Sequence, residues 1–206
     1  HSLALGAQEI TLLEMTQAYG AMASEGYRVE AHGVARIRRA NANETMWSWR
    51  PSNRARVIEE RPMRYMNMMM SRVVQAGTGT RARMANFQVG GKTGTGNDYR
   101  DAWFVGFTPG LVGGVWVGND NFTMTGRVTG GSLPADIWAS IAPVALRNTP
   151  SRPLQMPSDE DYNAGLPPPM SPELTAVGAP VGATIGTPIE TPPDTEDRSL
   201  DFGPEG

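Results

Sequence analysis

The 206-residue sequence contains no cysteine, one lysine and only two histidines. The absence of cysteine excludes disulfide frameworks, thiol nucleophiles and thiolate metal sites. His1 and His32 are too few for a histidine-rich metal site. We expect no metal and no other cofactor. No apolar run approaches the roughly 20 residues that span a bilayer, and we expect no signal peptide among these residues.

Acidic residues and prolines are distributed unevenly along the chain. Residues 1–150 carry 16 basic and 11 acidic side chains, a net charge of +5. Residues 151–206 carry 2 basic and 10 acidic side chains, a net charge of −8. The second region also holds 11 of the 17 prolines and none of the five tryptophans. Only residues 1–150 can therefore build a core, and we expect residues 151–206 to form a disordered acidic Pro/Gly-rich tail.

Apolar periodicity predicts an α+β domain over residues 1–150. Thr11 and Glu14 have the spacing of a capping box, which predicts a helix over residues 11–25. After residue 87 the period becomes strand-like, and short connections predict a three-stranded antiparallel meander. Two of its strands are almost continuously apolar, so helices should cover both faces. The other predicted elements are a hairpin at 34–49, a helix at 62–77, strands at 87–95, 102–107 and 111–118, and a helix from Pro134.

Two groups of large apolar side chains are assigned to the core. The helix at 62–77 is rich in methionine, and its helical periodicity favours an ordinary buried face over a partner groove. The tryptophans of the later segments lie in apolar surroundings. The predicted core residues are Met63, Met66, Met70, Val73, Val74, Trp103, Trp116 and Trp138.

The single lysine, Lys92, lies in the run Gly90-Gly-Lys-Thr-Gly-Thr-Gly96 on the first strand of the meander. Four glycines in seven residues weaken a strand unless something must approach its backbone closely. A Walker A phosphate loop is excluded, since position 86 is asparagine and the residues after the lysine cannot open a helix. A Lys-Thr-Gly strand edge remains, along which an extended peptide can lie as an added strand. Thr93 and Thr95 should share one face, opposite Lys92.

Spaced segments before and after this motif extend the pattern. Together they closely resemble the transpeptidase domain of class A, bifunctional penicillin-binding proteins of the 1A type, over about residues 1–147. The resemblance implies a fold like that of penicillin-binding proteins and serine β-lactamases, in which the three strands belong to a larger sheet. The matching segments are Leu5-Gly-Ala, Glu9–Tyr19, Gly77-Thr-Gly-Thr80, Gly91–Thr95, Asp98–Pro109, Val115–Asp120, Thr129-Gly-Gly131 and Pro134–Trp138.

The resemblance also supplies a reaction. In this family a serine in Ser-x-x-Lys attacks the penultimate D-Ala of a stem peptide, an amine of a neighbouring strand accepts the acyl group, and β-lactams trap the serine. Neither Ser-x-x-Lys nor the second motif, Ser-x-Asn, occurs here; Val89 stands where the serine would precede Lys92. The sequence also starts at His1 in mid-pattern. We therefore expect the nucleophile on an upstream part of the same chain, and this chain alone to be inactive.

Four residues receive site roles from the resemblance. Lys92 would steer the substrate carboxylate and assist proton transfer. Thr93 and Thr95 would bind that carboxylate through their hydroxyls, and Gly94 lies between them in the same substrate-binding strand. The backbone N–H of Thr95 would form half of an oxyanion hole. The resemblance assigns no nucleophile and no metal ligand to this chain.

The resemblance implies a parent D-Ala-D-Ala transpeptidase with an upstream glycosyltransferase domain, held at the periplasmic face of the inner membrane by an upstream segment. Its partners would be peptidoglycan stem peptides and β-lactams. The resemblance does not cover the tail, whose acidic, proline-rich composition is open to a cell-wall partner but is more typical of a solvated segment. Nucleic acid is not expected, because Arg36, Arg38 and Arg39 alternate on a solvated hairpin face of an acidic protein. The alternatives are a non-catalytic peptidoglycan- or partner-binding module and, more weakly, a β-lactamase-like hydrolase.

Overall fold

The computed structural model describes residues 9–40, 44–50 and 55–164. It confirms the predicted α+β order of helix, hairpin, helix, three-stranded meander and helix, and adds a short last helix. Within these ranges no helix is both long enough and apolar enough to cross a membrane. The helices are α1 Leu12–Ala23, α2 Glu60–Ala76, α3 Leu133–Ala145 and α4 Asp159–Asn163, and the strands are β1 Arg36–Arg38, β2 Thr45–Ser48, β3 Gly90–Thr95, β4 Asp101–Thr108 and β5 Leu111–Gly118.

Helix α1 begins at the predicted capping box. The Thr11 hydroxyl accepts the Glu14 N–H at 3.2 Å, and the Glu14 carboxylate accepts the Thr11 N–H at 3.0 Å. The Thr11 hydroxyl also donates to the Glu14 carboxylate at 2.7 Å, and this bond, together with the one from the Thr11 N–H, lowers the pKa of Glu14. The helix ends at Ala23, two residues before the predicted end, and the chain then turns at Gly26, whose φ is 90°. A left-handed turn of this kind is the usual use of glycine after a helix.

Strands β3, β4 and β5 form the antiparallel sheet, in that order. Lys92 lies opposite Val105, and Trp103 lies opposite Trp116. The meander is therefore confirmed, although β3 begins at Gly90 rather than at residue 87. The order leaves β3 as an edge strand in the part of the chain that the structure describes.

Helices cover both faces of this sheet, as expected. Phe104 and Phe107 lie an odd number of residues apart on β4, so their rings point to opposite faces. Phe104 packs edge-on against Trp138 of α3, with ring centroids 5.7 Å apart, and Trp138 donates to the Gly113 carbonyl at 3.1 Å. Phe107 packs against Tyr19 of α1 on the other face, at 6.4 Å. The main buried cluster lies on the α3 face and contains Val74, Ala82, Val89, Phe104, Ala135, Trp138 and Ala142.

The buried face of α2 differs from the predicted one. Its buried residues are Met63, Asn67, Ser71 and Val74, and Asn67 and Ser71 are each only 2% exposed. The predicted core residues Met66, Met70 and Val73 are only partly buried. Asn67 is tolerated inside because its amide donates to the Gln155 carbonyl at 3.0 Å. The prediction was also wrong for Trp116, which is 41% exposed, and correct for Trp138.

Residues 151–164 pack against the body of the protein, although their composition placed them in the tail. Leu154 is 4% exposed, and its N–H donates to the Gln88 side chain at 2.9 Å. Asp161 caps the N-terminus of α4 by accepting the Ser158 N–H, and it pairs with Arg64 of α2 at 2.9 Å. A few specific anchors therefore order this segment despite its low apolar content. Residues 165–206 lie outside the described residues.

Asp161 should make the stability of this segment depend on pH. The Ser158 N–H and the Arg64 guanidinium hold the pKa of Asp161 at about 2, below its ordinary value of 3.8. Because the folded pKa is the lower one, the stabilisation is complete above about pH 4 and is lost as the pH falls through 2. We expect Asp161→Asn to lower the Tm by a few degrees at pH 7, with the difference from the wild type closing near pH 2.

Thermal unfolding followed by circular dichroism across this pH range checks the prediction. Asp159→Asn, at an exposed acid in the first turn of the same helix, is the matched control and should change the Tm little. If the Tm difference between Asp161→Asn and the wild type stayed constant from pH 7 to pH 2, the lowered pKa of Asp161 would not be its cause.

Candidate functional site

The free edge of β3 exposes backbone groups in a defined pattern. The Gly96 N–H donates to the Asp101 carbonyl at 2.9 Å, just beyond the Thr95–Ala102 pair. Because backbone groups alternate in an antiparallel ladder, the N–H and C=O groups of Thr93 and Thr95 point away from β4. They therefore face the open edge, where an extended peptide can pair with them.

Two of the β3 glycines have a packing reason that the sequence did not show. A Cβ on Gly91 would lie 2.8 Å from the Phe104 ring and 2.9 Å from the Val105 carbonyl oxygen. A Cβ on Gly90 would overlap the Phe107 ring. Glycine at these positions thus lets β3 pack closely against two buried aromatic rings, independently of any ligand.

Lys92 places its ammonium at the same open edge. Its Nζ donates to the Thr93 carbonyl at 2.8 Å, and the side chain is exposed. That carbonyl is one of the outward-facing groups of the strand. The only lysine of the chain therefore lies beside the backbone positions that a paired peptide would occupy.

The two threonines of the motif are held by loops from other parts of the chain. The register places Thr93 opposite Phe104 and Thr95 opposite Ala102, on one face of the sheet. On that face the Thr93 hydroxyl lies 2.6 Å from the Thr78 hydroxyl, and the Thr95 hydroxyl accepts the Gly130 N–H at 3.2 Å.

No role for Thr78 or Gly130 could be predicted from the sequence. They lie in the segments 77–80 and 129–132, which match the family's pattern but carry no assigned site residue. The available signal was composition, since both segments consist mainly of glycine and hydroxyl residues, as β3 does. What the sequence could not show is that the fold brings all three together.

Close packing fixes the two loops against β3 and against each other. A Cβ on Gly130 would overlap the carbonyl oxygens of Trp103 and Gly94, and one on Gly131 would overlap the Thr78 carbonyl oxygen. A salt bridge of 2.6 Å between Arg81 and Asp136 joins the end of the first loop to α3. The hydroxyls of the site are therefore positioned by a rigid, glycine-dependent contact.

This arrangement suits recognition of a carboxylate at the end of an extended peptide. It combines one ammonium, two hydroxyls and an outward backbone N–H on an open strand edge, all donors to negative oxygen. Ser132 is engaged in its own turn, where its hydroxyl donates to the Thr129 carbonyl at 2.7 Å. Within the described ranges no group of three or more acidic or histidine side chains could hold a metal ion.

Comparison with known proteins shows which proteins this chain is similar to. Residues 1–142 match the penicillin binding protein transpeptidase domain family. Penicillin-binding protein 1A of Neisseria flavescens is 34% identical over 172 residues, which are 80% of this chain and 21% of that protein. The structure of penicillin-binding protein 1A from Haemophilus influenzae is 25% identical, with a TM-score of 0.65, over 76% of this chain and 29% of that one. Penicillin-binding protein PonA1 from Mycobacterium tuberculosis is 24% identical, with a TM-score of 0.70, over 91% and 50% of the two chains.

These comparisons confirm the resemblance and the fold predicted from the sequence. The PonA1 structure supports the mixed α+β arrangement with an antiparallel sheet. The chain spans about a fifth of the length of the curated relatives it matches, which are penicillin-binding proteins 1A. It therefore corresponds to part of a transpeptidase domain in these relatives.

Proposed function

Because the chain belongs to the penicillin-binding protein transpeptidase family, we propose that it supplies the substrate-binding edge of a peptidoglycan D,D-transpeptidase. The nucleophilic serine comes from a segment upstream of His1. It attacks the penultimate D-Ala of a stem peptide, and the terminal D-Ala leaves as the amine. An amine of a neighbouring strand then takes the acyl group, forms the cross-link and restores the serine.

One observation carries this proposal. The free edge of β3 brings together the Lys92 ammonium, the outward Thr93 carbonyl and the outward Thr95 N–H. A stem peptide that pairs with this edge gains backbone hydrogen bonds along its length. Its terminal carboxylate then meets the only lysine of the chain.

The hydroxyls of Thr93 and Thr95 complete the carboxylate site. Each hydroxyl has a single hydrogen to donate. Since Thr95 Oγ1 accepts the Gly130 N–H, the hydroxyl hydrogen of Thr95 stays available for a carboxylate. The Thr78 hydroxyl holds that of Thr93 in place from the same face.

The Thr95 N–H stabilises the tetrahedral intermediate. A β-strand N–H that already points away from its ladder needs no rearrangement to bind a developing oxyanion. One such donor is worth about 3 kcal/mol in an acyl-transfer enzyme. The second donor of the oxyanion hole is the backbone N–H of the nucleophile itself, on the upstream segment.

Removing the Thr95 hydroxyl separates these two roles. In the longer gene product that carries the nucleophile, Thr95→Ala keeps the backbone N–H and loses only the hydroxyl. We expect acylation by a D-Ala-D-Ala peptide to fall about 10- to 100-fold, the cost of one hydrogen bond to a charged group. Thr95→Ser restores the hydroxyl and should recover most of the rate.

A peptide with a C-terminal carboxamide tests the cause. Because this analogue has no terminal carboxylate for the Thr95 hydroxyl to bind, Thr95→Ala should change its acylation rate little. The measurement is the rate of acyl-enzyme formation for both peptides with each variant. An equal loss for the acid and the amide would contradict carboxylate recognition by Thr95.

The proposal extends to the whole protein. We place the parent at the periplasmic face of the inner membrane, anchored and joined to a glycosyltransferase domain through upstream sequence, with stem peptides and β-lactams as its ligands. The absence of Ser-x-x-Lys and Ser-x-Asn from this chain favours one second candidate, a non-catalytic peptidoglycan-binding module. That module would bind D-Ala-D-Ala peptides reversibly, and its longer gene product would form no acyl-enzyme.

A further inference from the structure

The hairpin of residues 34–50, called the basic hairpin below, exposes an apolar face and a basic face. Ile37 lies opposite Trp47, and these side chains are 48% and 45% exposed. Arg36 and Arg38 alternate with Ile37 and therefore lie on the other face. Strands β1 and β2 pack mainly against each other. Ile37 and Trp47 therefore form a small exposed apolar patch that a partner could cover.

The net positive charge of the basic hairpin favours an acidic partner. Residues 34–50 contain four arginines and one glutamate, a net charge of +3. The glutamate, Glu44, pairs with Arg39 at 3.5 Å. Arg36 and Arg38 are exposed and form no salt bridge within the described part of the chain. An acidic segment with some apolar side chains would match both faces.

We propose that residues 190–205 of the same chain bind the basic hairpin. This segment contains six acidic side chains and one arginine, a net charge of −5. Leu200 and Phe202 flank Asp201, so an extended backbone would direct the two apolar side chains to one face and the carboxylate to the other. The segment thus alternates acidic and apolar groups where the hairpin alternates basic and apolar ones. This inference is independent of the proposed function.

The chain leaves the described structure close to the base of the hairpin. The isolated bridge between Tyr27 and Arg56 closes that base, and α2 begins four residues later. Asp161 of α4 contacts Arg61 and Arg64 in the first turns of α2. Residue 164, after which the acidic region continues, therefore lies near the same end of α2 as the hairpin base.

The length of the connection fits this placement. Residues 165–189 number 25, which gives a root-mean-square span of roughly 25–30 Å for a flexible chain. Strands β1 and β2 have three and four residues, so the paired part of the basic hairpin is about 10–13 Å long. The acidic segment is therefore kept at an effective concentration of the order of millimolar. Weak ion pairs suffice for binding under these conditions.

The absence of cysteine allows a clean test in the full 206-residue chain. A single nitroxide label at Ser199→Cys is unique, and paramagnetic relaxation of backbone amides reports which residues it approaches. We expect the amides of β1 and β2 to relax faster than those of α3. The effect should be independent of protein concentration and should weaken in ~1 M salt, where the Debye length is about 3 Å.

Charge variants test the partners directly. The triple variant Arg36→Gln, Arg38→Gln and Arg39→Gln should lower the equilibrium constant for binding of residues 190–205 to the basic hairpin about tenfold. This is the loss expected for three exposed ion pairs. The same triple change at the exposed arginines Arg72, Arg127 and Arg147 is the matched control and should leave it unchanged. A variant in which the six acidic side chains of residues 190–205 are replaced by amides should also lose the faster relaxation of the β1 and β2 amides. These replacements leave residues 9–164 unchanged.

Three outcomes would overturn the proposal. The first is equal relaxation of the hairpin and α3 amides. The second is a relaxation effect that grows with protein concentration, which would mean contact between molecules. The third is a hairpin perturbed by phosphatidylglycerol vesicles but not by the labelled segment, which would assign the basic hairpin to an anionic membrane surface instead.

Discussion

Lys92→Ala, made in the longer gene product that includes the nucleophile, is expected to lower the rate of acylation by penicillin about 100- to 1,000-fold. Lys92 is the only lysine of the chain, and its ammonium lies at the open edge of β3, bonded to the Thr93 carbonyl. Its removal takes away both the positive charge that meets the ligand carboxylate and a group able to assist proton transfer. Loss of one such acid–base or electrostatic group typically costs this much.

Two controls separate the chemistry from folding. Lys92 is exposed and makes one backbone contact in the described structure, so Lys92→Ala should leave the Tm nearly unchanged. Lys92→Arg keeps the charge but not the compact ammonium, and we expect it to recover only part of the rate. The measurement is the rate of covalent labelling by a fluorescent penicillin. Normal labelling of Lys92→Ala would show that the β3 lysine is not part of the site.

Gly130→Ala is expected to damage both stability and the site. The added Cβ would overlap the carbonyl oxygens of Trp103 and Gly94 and lie 2.8 Å from the Gly94 nitrogen. These are backbone atoms of paired strands, so the loop must move away and the Gly130 N–H must leave the Thr95 hydroxyl. We expect a loss of about 1–3 kcal/mol in the free energy of unfolding, as for other overpacked sites, together with at least the acylation defect of Thr95→Ala.

Gly33→Ala is the matched control for this change. A Cβ on Gly33 meets no atom within 4 Å, and its backbone is not in the left-handed region. The same substitution there should be neutral or slightly stabilising, because it reduces the entropy of the unfolded chain. Denaturant unfolding of both variants measures the difference. Equal stabilities for Gly130→Ala and Gly33→Ala would contradict the close contact between the 129–132 loop and β3.

The sequence predicted those features that are encoded locally. The capping box at Thr11 and Glu14 works through side chains three residues apart, and α1 begins there. The meander follows from alternating apolar runs separated by short turns, and β4 and β5 extend the predicted strands by at most one residue at each end. The strand edge that carries Lys92 could therefore be predicted together with its motif.

Features that depend on distant contacts could not be predicted. Asn67 reads as an exposed polar residue of α2, and only its bond to Gln155, 88 positions away, explains its burial. The contact of Thr78 with Thr93 and that of Gly130 with Thr95 join segments that share no periodicity. Residues 151–164 resemble a tail by composition, yet Asp161 meets Arg64 across 97 positions. In each case one long-range partner overrides the local pattern.

We infer that this chain carries the carboxylate-binding strand of a transpeptidase site but not its nucleophile. Intact mass after incubation with penicillin tests it most directly, on the 206-residue chain and on the longer gene product that begins upstream of His1. We expect only the longer protein to gain the mass of one penicillin. A longer protein that stays unlabelled would favour the binding module, and covalent labelling of the 206-residue chain alone would contradict the claim.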